Sequence, residues 1–205
     1  MEKTKSILEY IKHIRAMAKT GLSYSENPYD LERYEEMKEM SDHLLAELGN
    51  MSLEDLQYQF GKLDDYPTPK VDVRGLVIKD NKILMIRERV DQKWAIPGGW
   101  ADIGHTPAEN IVKEIREESG YEVNVSRLLS VWDKKMHDHP AEIHYVYKIS
   151  FLCEIVGGDL NPGHETLGAD FFALDELPEL SLPRNNEDQL RRLYRLAKEG
   201  GLEWD

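Results

Sequence analysis

The first third of the chain carries apolar residues at the spacing of amphipathic helices. The first such series is Ile7, Ile11, Ile14 and Ala18. The second, on a helix predicted from about residue 31 to the glycine at 49, is Leu31, Tyr34, Leu44, Leu45 and Leu48. Apolar residues three and four apart share one helix face, and Ser52 with Asp55 has the spacing of a capping box for a short third helix. This part predicts a small all-α domain.

The pattern changes after the proline-containing stretch "LDDYPTPKVD", where helical periodicity stops. We place the boundary near residues 64–69, which gives a helical domain over 1–66 and a second domain over 67–205. Beyond it, "VDVRGLVI" and "KILMIRE" flank the turn "KDN" and predict a hairpin. The segment 141–155, "AEIHYVYKISFLCEI", alternates apolar and polar residues as a strand does.

Two further helices are predicted in the second domain, over residues 106–119 and 186–199. Thr106-Pro107 opens the first of them, with proline in the favoured first turn. Strands interrupted by a single central helix indicate a mixed sheet in an α/β or α+β domain, without regular βαβ winding.

The stretch from residue 95 to 123, "AIPGGWADIGHTPAENIVKEIREESGYEV", holds the candidate chemistry. Glu114, Glu117 and Glu118 follow one another at i, i+3 and i+4, so their carboxylates share one face and repel each other. Gly98 and Gly99 let the preceding backbone approach that face closely. Clustered oxygen ligands of this kind suit a hard cation such as Mg²⁺ or Mn²⁺. The alternative is a solvated acidic helix face, which the glycine loop and the spacing disfavour.

Read from Gly99, the order is glycine, five residues, His105, seven residues, then "KEIREESGY". This resembles the signature of the Nudix hydrolases, in which the positions of His105 and Lys113 are usually glutamate and arginine. The resemblance covers residues 71–180 and implies an α/β/α sandwich with a mixed sheet. It also implies hydrolysis of a diphosphate bridge by water, with Mg²⁺ or Mn²⁺ as the cofactor.

The resemblance also assigns roles to individual residues. Glu114 and Glu118 are the expected metal ligands, Glu117 is a further ligand, and the carbonyl of Gly98 or Gly99 is an extra one. His105 and Lys113 are at positions that brace the loop against the helix, so this brace is expected to be weakened or rebuilt.

The proton acceptor and the phosphate contacts are less narrowly defined by the sequence. A general base is needed, and Glu114, His164 and Glu165 are the candidates, the last two in a late loop where related enzymes often place one. Arg74 and Arg87 are candidates for the substrate phosphates, with exposed strand ends as the alternative. Trp100 is a candidate for contact with the rest of the substrate.

The substrate is expected to be a nucleoside diphosphate linked to a second group. The helical front domain resembles a bacterial group within the family and favours CDP-choline, cleaved to CMP and phosphocholine. An aromatic cage would hold the choline, and Trp94, Trp100 and Trp132 flank the predicted site. ADP-ribose or a nucleotide sugar is the alternative substrate. A non-catalytic nucleotide-binding module is the alternative from another class, which the three retained glutamates disfavour.

Composition narrows the expected partners and cellular location more than it narrows the reaction. The 205 residues have a formal net charge of −13, which disfavours nucleic acid and anionic membranes as partners. Cys153 is the single cysteine and no stretch is long and apolar enough to cross a membrane, so a cytoplasmic protein is expected. Family resemblance and the apolar stripes of the front helices predict a homodimer.

Overall fold

The computed structural model describes residues 6–60, 67–102, 104–163 and 166–205. The chain divides into two compact units. The first ends at Pro69 and also takes in Glu142–His144, and the second comprises Lys70–Ala141 and Tyr145–Asp205. None of the helices in the described ranges combines the length and apolar character needed to cross a membrane.

The described part of the first unit contains three helices, as the periodicity predicts. They are α1 (Ile7–Tyr24), α2 (Pro28–Leu48) and α3 (Leu53–Phe60). The second begins three residues earlier than expected, because the Asn27 side chain accepts a hydrogen bond from the Tyr29 N–H at 3.0 Å and Pro28 occupies the first turn. Its end at Gly49 is confirmed.

The core of the helical unit is small. Ile11, Leu45, Ala46 and Leu56 form it. Ile143 packs against this core, and the Lys12 ammonium donates to the His144 carbonyl at 3.1 Å. These contacts hold residues 142–144 out of the sheet, so the strand predicted from residue 141 begins only at Val146.

The second unit is built on a mixed sheet. Its strands are β1 (Lys70–Lys79), β2 (Lys82–Glu88), β3 (Trp94–Ala95), β4 (Tyr121–Asp133), β5 (Val146–Gly158), β6 (Thr166–Phe172) and β7 (Glu203–Trp204). The order is β3-β2-β1-β5-β4-β7, with β6 on the other edge of β2. The β1–β2 hairpin is confirmed, and its turn residues Asp80 and Asn81 both have positive φ, as a tight hairpin turn requires.

Two helices cover the sheet, α4 (Pro107–Ser119) on one face and α5 (Glu187–Glu199) on the other. Ile111 and Ile115 of α4 pack against Val73 and Val77 of β1. On the opposite face, the α5 leucines 190, 193 and 196 share a core with Leu76 and other sheet residues. The predicted α/β/α sandwich with an all-α segment before it is therefore confirmed.

Candidate active site

The glycine loop lies along the edge of β1. Three backbone hydrogen bonds of 2.9 Å join residues 97–101 of the loop to residues 71–75 of β1: Val73 N to Gly99 O, Gly75 N to Pro97 O, and Ala101 N to Val71 O. Gly98 has φ of +134°, and a Cβ there would overlap the Val73 carbonyl oxygen. Only glycine fits this approach, which explains why the sequence needs it next to Gly99.

The central helix begins and ends with strong local signals. The Thr106 hydroxyl and the Glu109 side chain form a reciprocal capping box, and Gly120 ends the helix in the left-handed conformation. Ile111 and Ile115 are buried against the sheet, which fixes the rotation of α4 about its axis. That rotation leaves Glu118 buried, Glu114 half-buried and Glu117 exposed.

Glu118 is the carboxylate most firmly held to the loop. Its Oε2 accepts a hydrogen bond from the Gly98 N–H at 2.8 Å, and only 7% of the residue is exposed. Burial raises the pKa of Glu118 to about 8. The Arg74 guanidinium and the Gly98 N–H act in the opposite direction, while Glu114 and Glu88 add to the rise. The loop therefore buries a carboxylate that needs positive charge nearby.

The other two glutamates are held differently. A Cβ on Gly99 would lie 3.3 Å from Oε2 of Glu114, so that carboxylate is adjacent to the loop backbone. Glu117 lies 3.9 Å from the Lys113 ammonium, measured from Oε2 to Nζ. Within the described ranges, no three His, Cys, Asp or Glu side chains are already gathered as ligands of one ion. The structure thus brings Glu114 and Glu118 to the loop but does not gather the full trio.

The residues at this loop fit a divalent cation. The candidate ligand atoms are oxygens, namely those of two carboxylates and the carbonyl groups of a glycine pair, which is the set that Mg²⁺ and Mn²⁺ prefer. A divalent cation would also supply the positive charge that the buried Glu118 carboxylate needs.

The loop brace that the sequence called into question is rebuilt in another way. Lys113 donates to Oδ2 of Asp102 at 2.8 Å, across the base of the loop, while His105 is exposed. Asn110, which is 1% exposed, also accepts from the Asp102 N–H at 2.9 Å and donates to its carbonyl at 3.2 Å. Asp102 and Asn110 were not predicted. A lysine in place of the usual arginine is the sequence signal that could have led to a search for its new partner.

The three residues proposed for substrate contact occupy unlike environments. Arg87 is exposed, and its Nε donates to the Gln92 carbonyl at 2.8 Å. Trp100 is 49% exposed at the end of the loop, with the Lys70 ammonium 5.2 Å from its ring centre. Arg74 is only 5% exposed, so the alternative of an exposed strand end does not describe it.

Arg74 belongs to a buried ionic cluster that sequence reasoning missed. Its guanidinium pairs with the Asp72 carboxylate at 2.9 Å and donates to the Ile96 carbonyl at 3.1 Å. Lys148 of β5 also pairs with Asp72. Burial raises the pKa of Asp72, but Arg74 and Lys148 outweigh it and hold that pKa below its usual value. The unusual signal in the sequence is the pair Asp72 and Arg74 inside an otherwise apolar strand.

A second ion pair lies beside the first. Glu88, at the end of β2, pairs with Arg184, whose Nη1 donates to the Ser181 hydroxyl at 3.1 Å. Burial raises the pKa of Glu88, and Arg184 and Arg74 oppose that rise. Glu88 and Glu118 thus both interact electrostatically with the Arg74 guanidinium.

His164 and Glu165, the late-loop candidates for the general base, lie outside the described residues. Their neighbours on either side contact the end of α4. The Thr166 hydroxyl donates to the Glu118 carbonyl at 3.1 Å, and a Cβ on Gly163 would overlap the Glu117 carbonyl oxygen.

Comparison with known proteins agrees with this architecture. Residues 5–60 match a UDP-X-like N-terminal oligomerisation domain, and residues 68–196 match the NUDIX domain. The Bacillus subtilis (strain 168) protein YjhB, provisionally named an ADP-ribose pyrophosphatase, is 45% identical over 187 residues, which cover 91% of this chain and 90% of that protein.

Solved structures similar to this chain include pyrophosphatases of the same kind. A UDP-X diphosphatase is 31% identical with a TM-score of 0.64, and the match covers 96% of each chain. An ADP-ribose pyrophosphatase from Streptococcus suis 89-1591 is 36% identical with a TM-score of 0.61, over 67% of this chain and 98% of that one. The domain match, these relatives and the glutamate helix on its glycine loop lead to one conclusion: the chain belongs to the Nudix hydrolases and is a pyrophosphatase that acts on phosphoanhydride bonds.

Proposed function

We propose that this protein hydrolyses ADP-ribose at its diphosphate bridge, with Mg²⁺ or Mn²⁺ held by Glu114, Glu118 and the backbone of Gly98–Gly99. The observation that carries the proposal is the buried Glu118 carboxylate, fixed by the Gly98 N–H at 2.8 Å next to a second carboxylate. Such oxygen donors suit a cation that must also bind phosphate.

In this proposal some residues hold the cation and another accepts a proton. A divalent cation held by Glu114, Glu118 and the Gly98–Gly99 backbone would lower the pKa of a bound water and neutralise charge on the phosphoryl oxygens. Gly98 orients Glu118, and the packing of Ile111 and Ile115 keeps α4 in place. Glu117 is exposed beside Lys113 and is free of the core, so a rotation of its side chain can bring it in as a further ligand. Glu165 is our candidate to accept the proton from the attacking water.

Two considerations favour ADP-ribose over CDP-choline. The relative with 45% identity over nine-tenths of both chains carries an ADP-ribose pyrophosphatase name. In addition, the tryptophans expected to form a choline cage have other partners: Trp132 is 1% exposed and packs on His137 and Arg192, and Trp94 packs edge-on against Phe172. Of these three tryptophans, Trp100 alone is largely exposed next to the loop.

A product assay tests the substrate. Purified protein is incubated with ADP-ribose, CDP-choline or a UDP-sugar at matched Mg²⁺ and Mn²⁺, and nucleoside monophosphates are quantified. We expect AMP from ADP-ribose at the highest kcat/KM and no turnover with excess chelator. Faster release of CMP from CDP-choline would reject ADP-ribose and support the choice that the sequence first indicated. No turnover on any of the three would reject the whole group of substrates.

We further propose that the helical unit joins two copies of the chain. It matches an oligomerisation domain, and its two long helices expose several large apolar side chains, each at least 46% accessible. These are Ile7, Tyr10, Met17, Tyr24, Tyr29, Met40, Leu44 and Leu48. Apolar surface of this extent on a small unit is typical of an interface, and a second copy would cover it.

The oligomeric state is measured by light scattering coupled to size-exclusion chromatography. We expect twice the chain mass of 23.8 kDa. Replacing Leu44 and Leu48 by glutamate adds charge to the exposed stripe without touching the buried Leu45, and should give monomers. A monomeric natural protein at micromolar concentration would contradict the proposal.

A further inference from the structure

The buried ionic cluster lies on the opposite face of the sheet from α4, and strand register explains its geometry. Asp72 of β1 is directly opposite Lys148 of β5, which is in turn opposite Trp132 of β4. Two residues further along β1, on the same face, Arg74 is opposite Ser150. Asp72, Arg74 and Lys148 are each at most 6% exposed. Three charged side chains are therefore fixed in the interior by the pairing of central strands.

A series of contacts connects the cluster to the glycine loop. Lys148 pairs with Oδ2 of Asp72, and Nε of Arg74 donates to both oxygens of the same carboxylate at 3.1 and 3.2 Å. Asp72 in this way fixes the plane of the guanidinium. Arg74 then donates from Nη1 to the carbonyl of Ile96, two residues before Gly98.

The Ile96 peptide is held from its other side as well. Its N–H donates to Oδ1 of Asn185 at 2.9 Å, and Asn185 is 2% exposed. Both polar groups of Ile96 are therefore satisfied by buried side chains. Gly98, two residues further on, donates its N–H to the Glu118 carboxylate, so the position of residue 96 helps to place that N–H.

Stability alone does not account for such a cluster. Buried ion pairs recover their desolvation cost only with good geometry, and apolar side chains of equal volume often stabilise a core as well or better. What charged side chains add is direction, since a guanidinium held on two sides donates to one fixed point. The position that Arg74 fixes here is a backbone carbonyl of the loop.

We propose that Asp72 and Lys148 are positioning residues for the metal site: they aim Arg74 at Ile96, and through it place the loop that holds Glu118. The inference rests on the proposed function, because it takes the loop and Glu118 to be the cation site. Neither residue touches the substrate, and both act through Arg74.

A purely electrostatic effect of the cluster on cation affinity can be distinguished from positioning of Arg74 by two substitutions. Asp72→Asn removes a negative charge, so by charge alone it would weaken binding of a cation. Lys148→Met removes a positive charge, so by charge alone it would tighten binding. Positioning predicts that both substitutions weaken it, because each one loosens the carboxylate that holds Arg74.

The experiment measures Mn²⁺ affinity by isothermal titration, together with the unfolding temperature and the kcat and KM for hydrolysis. Loss of outer-shell partners usually costs 10–100-fold in metal affinity. Because Asp72 and Lys148 act through Arg74, we expect effects at or below the lower end of that range: about 10-fold weaker Mn²⁺ binding for Asp72→Asn and about 3-fold for Lys148→Met, with kcat lowered and KM nearly unchanged. Ser130→Ala is the matched control, since Ser130 is buried on the same face and its hydroxyl has no hydrogen-bond partner within the described ranges. It should bind Mn²⁺ as the natural protein does.

The outcomes are distinguishable. Tighter Mn²⁺ binding by Lys148→Met would overturn positioning in favour of simple charge. Unchanged affinity in both variants with a lowered unfolding temperature would show a merely structural cluster and also overturn it. If Asp72→Asn does not fold, Lys148→Met decides, since it replaces one long side chain by another of similar volume. Absence of saturable Mn²⁺ binding by the natural protein would reject the proposed cation site itself, and this inference with it.

Discussion

The two faces of β1 position the active site by different kinds of interaction. On the α4 face, Val73, Gly75 and Val77 form an apolar surface against which Ile111 and Ile115 pack. On the α5 face, Asp72 and Arg74 form part of an ionic cluster before the strand becomes apolar again at Leu76. Apolar packing is strong but non-directional, and it places a whole helix. Ionic hydrogen bonds have direction, and here they reach single atoms of the loop.

The difference explains how one strand can position both the helix and the loop that form the site. The helix supplies the carboxylates and the loop supplies backbone groups. The helix packs on one face of β1, and the ionic cluster on the other face of β1 contacts the loop. Alternation of side chains along a strand makes this possible, because successive residues point to opposite faces.

The largest expected effect comes from removing the carboxylate that joins the two elements. Glu118→Gln keeps the shape of the side chain but removes the charge that a divalent cation needs. We expect kcat to fall more than 100-fold, beyond what loss of an outer-shell partner costs, while circular dichroism stays unchanged. Glu122→Gln, an exposed residue of β4, removes the same charge elsewhere and should keep full activity. Activity within 10-fold of the natural enzyme in Glu118→Gln would contradict the assignment.

Next in size is a change in the loop itself. Gly98→Ala places a Cβ against the Val73 carbonyl at a φ of +134°. The loop must leave β1, and the Gly98 N–H then moves away from Glu118. We expect activity to fall at least about 10-fold, as for a lost outer-shell partner, and the thermal unfolding temperature to fall with it. Natural activity and stability in this variant would show that the loop is not docked on β1 as described.

The apolar face is tested by Gly75→Ala. The added Cβ would lie 2.6 Å from Cδ1 of Ile115 and 3.0 Å from Cγ1 of Ile111, so α4 or its side chains must shift. Overpacking of this kind costs about 1–3 kcal/mol, measured by urea denaturation. Gly168→Ala is the control, because a Cβ there meets no atom within 4 Å. Equal stability of the two variants would mean that the contact between α4 and β1 is loosely packed.

His139, whose pKa is lowered in part by Lys148 of the ionic cluster, should make the stability of the protein depend on pH. Nδ1 of His139 contacts the Leu182 carbonyl at 2.7 Å, and burial lowers the pKa of His139 to about 4, with Lys148, Lys134 and His137 acting in the same direction. The unfolded chain binds this proton near pH 6.5 and the folded chain only near 4. The contribution to stability is therefore complete above pH 6.5 and is lost as pH falls towards 4. Unfolding temperatures between pH 7 and 4.5 should fall less steeply in His139→Asn. Identical slopes would contradict this.

The smallest effect is expected at the rebuilt brace. Lys113 and Asp102 are substantially exposed, so solvent screens their attraction. Lys113→Met should change kcat by no more than about 3-fold, because an exposed ion pair contributes little, and the difference from the natural enzyme should shrink in 0.5 M salt. A large, salt-independent loss would show that Lys113 acts on the substrate rather than on the loop.

Local signals predicted the parts of the structure that depend on neighbouring residues. Thr106-Pro107 defined the start of α4, and the turn at Asp80 and Asn81 defined the hairpin. Spacing alone also placed Glu114 and Glu118 on one face. Each of these features follows from a few consecutive residues, so no knowledge of the tertiary fold was required.

Apart from the early start of α2, which depends on the local cap at Asn27 and Pro28, the errors and omissions involve distant residues. The late start of β5 depends on contacts of residues 142–144 with the helical unit. The burial of Arg74 depends on register with a strand more than seventy residues away. The alternating pattern of β5 told which residues share a face, but not that Lys148 would meet Asp72 inside the sandwich.

The central claim is that the carboxylates of Glu114 and Glu118 hold a divalent cation at the Gly98–Gly99 loop. The most direct measurement is an anomalous difference map from crystals soaked in Mn²⁺. We predict a peak about 2.1 Å from an oxygen of each carboxylate, the distance at which small hard cations bind oxygen. A peak bonded to neither glutamate, or no peak at saturating Mn²⁺, would contradict the claim.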